Sequence, residues 1–365
     1  MINVFHIVSD SVWTGTCQQV YDLVSFLRND ERFYVEVVCK KNDAVLKHFR
    51  RLEVPVSILP LKGITDIDSP VRLATLLRRG NNVVHVHNIR DAWTAVYARR
   101  ISENRNTRII ATVHKIGKIR TNFIYRRIYK SINKWIFISS FARKYYEQLL
   151  PKANKSQWHT VHDSVIAPPD TRDGVIVPQL RNVLGLGSDK VLLIYHGRLS
   201  PEKGVMTLLR AVSQLDKSRY HLVIIGEGHT KFVSQLKSFI VANQLLRNVT
   251  MVGFREQILQ YVDQADIGVV PSVQPEAMCL PCLEYMMRGK ALVTTDNGAQ
   301  PEYINNGENG VLVQPDNHLM LAQALNHLIE NPAERLRLGE RARVTFDAEM
   351  TYDLFYNSIT QLYLS

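Results

Sequence analysis

Two carboxylates eight positions apart, Glu276 and Glu284, flank Pro281 in the stretch Pro271-Ser272-Val273-Gln274-Pro275-Glu276-Ala277-Met278-Cys279-Leu280-Pro281-Cys282-Leu283-Glu284. Carboxylates accept hydrogen bonds, and each can grip two hydroxyls. Pro281 reads as the first residue of a helix, where its missing N–H costs nothing. A helix N-terminus attracts anions, so the neighbourhood suits a phosphate. Phosphate beside hydroxyls is what a nucleotide sugar presents. On spacing alone, an ordinary first-turn glutamate and a solvated loop glutamate account for the pair equally well. A second group is His196-Gly197-Arg198-Leu199-Ser200-Pro201-Glu202-Lys203-Gly204, ahead of a helix with Leu208, Leu209 and Val212. Planar guanidinium, point-charge ammonium and helix dipole together make a diphosphate cradle. P-loop spacing is absent, and a basic surface turn is the plainer alternative. His87 and His114 each end an apolar run, Val83-Val84-His85-Val86-His87 and Ile109-Ile110-Ala111-Thr112-Val113-His114. Histidines at such strand ends face the site of an α/β sheet, although a lone histidine is more often structural.

These groups need strands and helices to aim them. Ile267 to Val270 is an apolar run of the kind a buried parallel strand needs, Gly289 closes the helix that begins near Pro281, and Ala291 to Thr294 opens the next strand. Glu276 then lies in a strand-to-helix loop, outside the carboxyl end of the sheet where ligands of open α/β sheets sit. The first half opens the same way. Ile2 to Val8 leads through a polar loop holding Trp13 and Gly15 into a helix with Val20, Leu23, Val24 and Leu27. Gly15 is the point there where backbone can come closest to a phosphate or sugar. Strands follow at 33–39, 54–59, 83–87, 109–114 and 136–139, the last closing the first half, and Phe123 to Trp135 reads as an amphipathic helix. The stretch 166–189, with Pro168, Pro169, Gly174, Pro178, Gly185 and Gly187, reads as an interdomain linker. The second half restarts with strands at 191–195, 220–225 and 249–254, and residues 350–364 read as a closing helix.

At 365 residues the chain suits two domains of ordinary size, each able to bury a core. Hydrophobic content of 45% and charged content of 22% fit a soluble globular protein. Four cysteines, Cys17, Cys39, Cys279 and Cys282, are too few for a disulfide scaffold and point to a reducing compartment. Cys279-x-x-Cys282 has no second pair at metal spacing and reads as two small apolar residues beside a tight loop. No apolar stretch is long enough to span a membrane, and Met1 to Val8 is too short for a signal peptide, which places the chain in the cytoplasm. The net charge of +11 is localised: residues 101–160 hold thirteen Lys/Arg against Glu103 and Glu147. At about 100° per residue, Arg126, Arg127, Lys130 and Lys134 share one arc of the 123–135 helix, with Ile124, Ile128, Ile132 and Trp135 opposite. That face is either solvated or set against the anionic inner face of a membrane. Nucleic acid would also attract it, but no recognition motif is present.

Glu276-(seven residues)-Glu284, with Leu280-Pro281-x-Leu283-Glu284 and Gly289, resembles the signature of retaining glycosyltransferases of family 4. Gly197-Arg198-x-x-x-x-Lys203-Gly204 is similar to that family's pyrophosphate loop. The resemblance spans nearly the full length and is strongest from Tyr195 to Val313. It implies a GT-B fold: two Rossmann-like domains facing each other across a cleft, at 1–167 for the acceptor and 190–345 for the nucleotide sugar. Residues 168–189 would link them, and 346–365 would pack back on the first. It further implies that Glu276 holds sugar hydroxyls and Glu284 the ribose, that Arg198 and Lys203 neutralise the leaving diphosphate, and that His114 points at the donor sugar. Gly226 and Glu227 would lie by the nucleotide, Phe254 and Arg255 by the base edge, and Ala277, Met278, Cys279 and Leu280 along the sugar. His87 and Trp13 are acceptor-side candidates. Gly15 stands where the family usually shows two glycines, His162-Asp163 replaces an Asn-Gly turn, and Ala277-Met278-Cys279 replaces a Gly-Phe-Gly type. The implied reaction moves a sugar from a UDP or GDP sugar to a glycan or lipid-linked acceptor with retention, without cofactor, metal or protein nucleophile. A nucleotide-sugar epimerase of the same architecture and a non-catalytic sugar-nucleotide-binding subunit are the alternatives. A phosphorylase would need a pyridoxal-phosphate lysine, for which there is no motif.

Overall fold

The computed structural model describes residues 1–166 and 177–365. These form two units, one of residues 1–163 with 353–365 and one of residues 164–352.

The first unit is built on a seven-stranded parallel sheet in the order β3-β2-β1-β4-β5-β6-β7. Its strands are β1 (Ile2–Val8), β2 (Phe33–Cys39), β3 (Val56–Ile58), β4 (Asn81–Val86), β5 (Thr107–Val113), β6 (Lys134–Phe137) and β7 (Trp158–Thr160). Val83, Val84, Ile109, Ile110 and Ala111 are almost completely buried, as expected of central parallel strands covered on both faces. The order reverses between β1 and β4, a switch point where connections leave in opposite directions and open a crevice. The closing helix Tyr352–Leu364 returns to this unit: the Tyr363 hydroxyl lies 2.6 Å from His85 Nδ1, and Lys134 Nζ donates to Leu362 O at 2.9 Å.

The second unit carries a six-stranded parallel sheet in the order β10-β9-β8-β11-β12-β13. Its strands are β8 (Val191–His196), β9 (Tyr220–Ile225), β10 (Val249–Gly253), β11 (Ile267–Val270), β12 (Ala291–Thr295) and β13 (Val311–Val313). Leu193, Tyr195, Leu208, Leu222, Ile224, Val269 and Leu325 belong to one continuous core. This sheet too reverses order, between β8 and β11. Both strand-to-helix loops of chemical interest therefore leave from one crevice.

Two expectations change. The helix expected over 123–135 runs only over Phe123–Tyr129, and Lys134 begins β6, so Lys134 does not extend a basic helical face. Ile132 and Trp135 are buried, but as a connector and a strand residue, because Trp135-Ile136-Phe137 pairs with β5 and takes the chain out of the helix. Ile124, placed on the buried side, is exposed with its neighbour Phe123. Nor is the strand near residue 136 the last of its sheet: β7 adds beyond it, three residues too short to stand out as a periodic run. In the expected linker, Pro168, Pro169 and Gly174 lie outside the described residues. From Val177 onward the chain is tied down, with Val177 N donating to Gln260 Oε1 at 2.7 Å and a short helix over Leu180–Val183.

Candidate functional site

In the second unit the loops after β8 and β11 meet. Ser200 ends the extended backbone, Pro201–Lys203 make a single tight turn, and Gly204 begins the helix Val205–Val212 at φ 70. A side chain at Gly204 would overlap the Pro271 carbonyl, so glycine lets the two loops touch. Val273 N donates to Glu202 O at 2.9 Å across the same seam. The closure places Lys203 Nζ 2.6 Å from Glu276 Oε2. Ser272 Oγ donates to the other oxygen, Glu276 Oε1. Burial lowers the Lys203 pKa, but the Glu276 carboxylate outweighs it and leaves the ammonium above the usual lysine value. Glu276 is clamped through its backbone as well. It bridges Gly298 in parallel register, and Ala299 N donates to Glu276 O at 3.0 Å. Gly298 has φ 77, and a Cβ there would overlap the Glu276 backbone.

Arg198 lies at the rim, its guanidinium exposed and 2.9 Å from Glu202 Oε1. Its backbone is held by β9: Leu199 N donates to Glu227 O at 2.7 Å, and Leu199 bridges Gly228. Gly226, at φ 140, touches Gly197 so closely that a Cβ would overlap its carbonyl. Gly226 N in turn donates to Gly253 O at 2.9 Å, which ties in the loop carrying Phe254 and Arg255. Phe254 is exposed, and Arg255 Nε donates to the Tyr261 hydroxyl at 3.1 Å. Cys279 caps the helix Leu280–Met287, with Pro281 in its first turn. Ala277, Met278 and Cys279 are buried, and the Cys279 and Cys282 sulfurs lie 3.1 Å apart as free thiols. Glu284, further along the helix, places Oε2 3.3 Å from His196 Nε2, whose pKa burial pushes down to about 3. A neutral imidazole therefore faces the carboxylate. Arg198, Lys203, Glu276 and Glu284 thus fringe one switch point, cations beside carboxylates whose oxygens can accept from hydroxyls.

The first unit gathers histidines at its own switch point. His6 Nδ1 lies 2.9 Å from His87 Nε2, His87 Nδ1 3.1 Å from His114 Nε2, and His114 Nδ1 3.4 Å from Asp163 Oδ2. Burial lowers the His6 pKa to about 3 and, with neighbouring His85, His6 and His114, holds His87 well below the usual value. With Asp163 at one end and the neutral rings of His6 and His87 behind, each Nδ1–H is directed toward the carboxylate and the Nε2 atoms of His87 and His114 accept, while His6 Nε2 has no hydrogen-bond partner among the described residues. Ring nitrogens of His6, His85 and His87 lie within 4.8 Å of one another, a grouping able to ligate a metal ion. Their bonds among themselves and to Thr112 and Tyr363 already satisfy most of them. His87 and His114 line a cavity of about 500 Å³ at the carboxyl ends of these strands. Gly15 begins the helix Gly15–Leu27 behind the Thr14 cap, and Trp13 stacks on His48 with ring centroids 4.0 Å apart. Arg126, Arg127 and Lys130 lie on and just past the helix Phe123–Tyr129, exposed.

Ser272, Gly298, His196 and Asp163 were not singled out as site residues from sequence. The one local signal was turn chemistry: an Asn-Gly pair at 297–298 and a serine closing a buried strand.

Residues 177–345 match the family described as glycosyl transferases group 1, and residues 13–165 match glycosyltransferase family 4. The chain is 27% identical over 275 residues to a lipopolysaccharide 1,2-N-acetylglucosaminetransferase of Salmonella typhimurium, covering 72% of this chain and 67% of that protein. A glycosyltransferase structure from Rickettsia africae superposes with a TM-score of 0.85 at 18% identity, covering 99% of this chain and 97% of that one. Anabaena HepE in complex with UDP also superposes at 0.85, with 17% identity and 99% of each chain covered. The fold is that of GT-B glycosyltransferases.

Proposed function

The chain belongs to the group 1 and family 4 glycosyltransferases, and on that premise we propose that it transfers a sugar from a nucleotide-diphosphate sugar, held by the second unit, to a glycan or lipid-linked acceptor with retention at the anomeric carbon. The observation that carries the reading is the pairing of Lys203 with Glu276 at 2.6 Å, beside Arg198, where the second sheet reverses order. Each group keeps the other's charge compensated in a largely buried place until a donor arrives. A diphosphate then takes the Lys203 ammonium, and the released Glu276 oxygens take sugar hydroxyls. Arg198, in an exposed pair of small energetic value, is free to turn to the same phosphates.

In the reaction the acceptor oxygen bonds to the anomeric carbon while the carbon–oxygen bond to the diphosphate breaks. The electron pair leaves on the phosphate, and the acceptor proton passes to a phosphate oxygen of the donor. The transition state is oxocarbenium-like, with negative charge growing on the leaving group. Arg198 and Lys203 stabilise that charge where it develops, so the chain supplies the cations a divalent metal would otherwise bring. Glu276 and the backbone N–H groups near Met278 and Cys279 orient the sugar, and Glu284 takes the ribose. UDP is the nucleoside diphosphate in the Anabaena structure, and lipopolysaccharide synthesis is the role of the Salmonella relative. The first supports a uridine-type donor and the second a cell-surface glycan product. No helix among the described residues is long and apolar enough to cross a membrane. The basic face at Arg126, Arg127 and Lys130 fits peripheral attachment to an anionic surface.

The test is turnover of purified Glu276→Ala and Lys203→Ala with a panel of UDP and GDP sugars, alongside thermal unfolding. Lys203→Ala is expected to lose about 10²–10³-fold in kcat, the scale of one preorganised oxyanion donor, and Glu276→Ala about 10²-fold through lost orientation of the sugar, with the fold intact. Near-normal turnover in either one removes the mechanism.

A further inference from the structure

The 500 Å³ cavity of the first unit has a lopsided lining. Lys62 comes from the loop after β3, Arg90 from the turn after β4, and Lys115, Lys118 and Arg120 from the segment after β5; the single carboxylate among the lining residues is Asp10. The ammonium groups of Lys115 and Lys118 have no carboxylate partner among the described residues, whereas Lys62 lies close enough to Asp66 to help hold that carboxyl below its usual value, with Lys62 N donating to Asp66 Oδ2 at 2.9 Å. Arg90 and Arg120 are held in place, and Arg90 is partly compensated by Asp91, with Nε 3.7 Å from Oδ1. Arg90 Nη2 donates to the Ser9 hydroxyl at 3.0 Å and to its carbonyl at 3.2 Å. Arg120 lies 5.5 Å over the Tyr125 ring, with Nη1 3.3 Å from the phenolic oxygen.

Such a lining says what enters. Sugar hydroxyls both donate and accept, so a site for a neutral glycan mixes carboxylates, amides and hydroxyls. Lysine and arginine only donate. Five of them around one cavity match a group whose oxygens only accept and which carries more than one negative charge. His87 adds no charge, since burial keeps it neutral, and with His114 it forms a polar wall of the same cavity.

We propose that this cavity binds an acceptor carrying a phosphate ester or diphosphate close to the hydroxyl that is glycosylated. The inference rests on the glycosyltransferase reading and adds the charge class of its acceptor. Two sources share that chemistry: a phosphorylated soluble glycan and the diphosphate of a lipid carrier.

The experiment saturates the protein with UDP, which occupies the donor groups Arg198 and Lys203, and then titrates inorganic pyrophosphate by calorimetry. The expected result is one further anion site in the wild type, weakened about tenfold or more in Lys62→Ala/Lys118→Ala, with UDP affinity unchanged. Both lysines are exposed, so their truncation leaves the fold in place. Absence of pyrophosphate binding to the UDP-saturated wild type, or equal binding by the double variant, overturns the proposal. Competition by glucose 6-phosphate assigns the site to a soluble phosphorylated glycan, and competition by phosphatidylglycerol vesicles assigns it to a lipid-borne phosphate. Failure of both to compete also overturns it. If neither UDP nor GDP binds the wild type, the donor reading fails, while pyrophosphate binding that is lost in the double variant still supports the anionic cavity.

Discussion

Glycine 226 shows how far single residues set this site. Its φ of 140 is a conformation L side chains rarely adopt, and its Cα faces the Gly197 carbonyl with no room for a methyl group. Gly226→Ala is expected to cost about 2–3 kcal/mol through backbone strain, to lower the melting temperature by roughly 5 °C or more, and to weaken UDP binding because the loop bearing Arg198 is pushed away. Unchanged melting and UDP affinity would show that the loop contact does not matter. Asp91 yields a prediction of a different kind. Burial raises its carboxyl pKa to about 7, against the opposing pulls of Ser9 and Arg90. A carboxyl with a raised folded pKa binds its proton more tightly in the native state. Its contribution is therefore fully present below the unfolded value near 4 and is lost as pH rises toward 7. Asp91→Asn should stabilise the protein by up to about 4 kcal/mol at pH 8 and by little at pH 4. Equal melting shifts at the two pH values would contradict the burial argument. At this scale charged residues at turn spacing after a strand drew attention to Arg198, Lys203, Glu276 and Glu284, but spacing alone left Glu276 and Glu284 undecided, and their expected roles came from the family resemblance. Ser272, Asp163 and His6 were not legible, since each becomes significant only when separate strands bring a partner within reach.

Alternating apolar runs and turn residues made the strand–helix alternation readable, and with it the two parallel sheets. Failures came where a local period met a tertiary demand. The apolar residues Ile128, Ile132 and Trp135 satisfy a helical spacing, yet pairing of Trp135 with β5 and β7 captures the chain as a strand. Strand β7 pairs over only Trp158–Thr160, and its place comes from Trp158 lying against Trp135 and Phe137 rather than from its own pattern. The closing helix was legible as a helix, but the pattern does not disclose the bond between its end and β4. Tyr363 is fully buried, its hydroxyl 2.6 Å from His85, while Arg108 donates to its carbonyl. Removing that hydroxyl leaves a buried imidazole nitrogen unpaired. Tyr363→Phe should therefore destabilise the first unit by about 1–3 kcal/mol, seen as a lower first transition in calorimetry with nucleotide binding in the second unit retained. A melting profile identical to wild type would mean that the helix is held by apolar packing alone.

Over the whole molecule, charge is distributed more informatively than its total. The net +11 equals the excess carried by residues 101–160, so the remainder of the chain is balanced. Part of that excess lines the cavity of the first unit, and part is on the surface at Arg126, Arg127 and Lys130, beside Phe123 and Ile124, which are 76% and 46% exposed. Exposed cations next to exposed apolar side chains are the combination that holds peripheral proteins at anionic headgroups: the rings and branched chains enter the interface and the cations meet the phosphates. Each cation contributes about 1 kcal/mol near such a surface, so three give a binding constant that changes by about two orders of magnitude. Lys134 takes no part, since its ammonium is spent on the carbonyl of Leu362. Arg126→Glu/Arg127→Glu/Lys130→Glu is therefore expected to lose sedimentation with phosphatidylglycerol vesicles by about 100-fold or more, while turnover on a soluble acceptor is unaffected. Wild-type binding should itself fall steeply between 0.05 and 0.5 M salt, over which range the screening length shortens from roughly 14 to 4 Å, and it should be negligible on neutral phosphatidylcholine. Vesicle binding that survives both the charge reversal and high salt would mean that the basic surface faces solvent, and that the excess charge of the first unit serves the cavity alone.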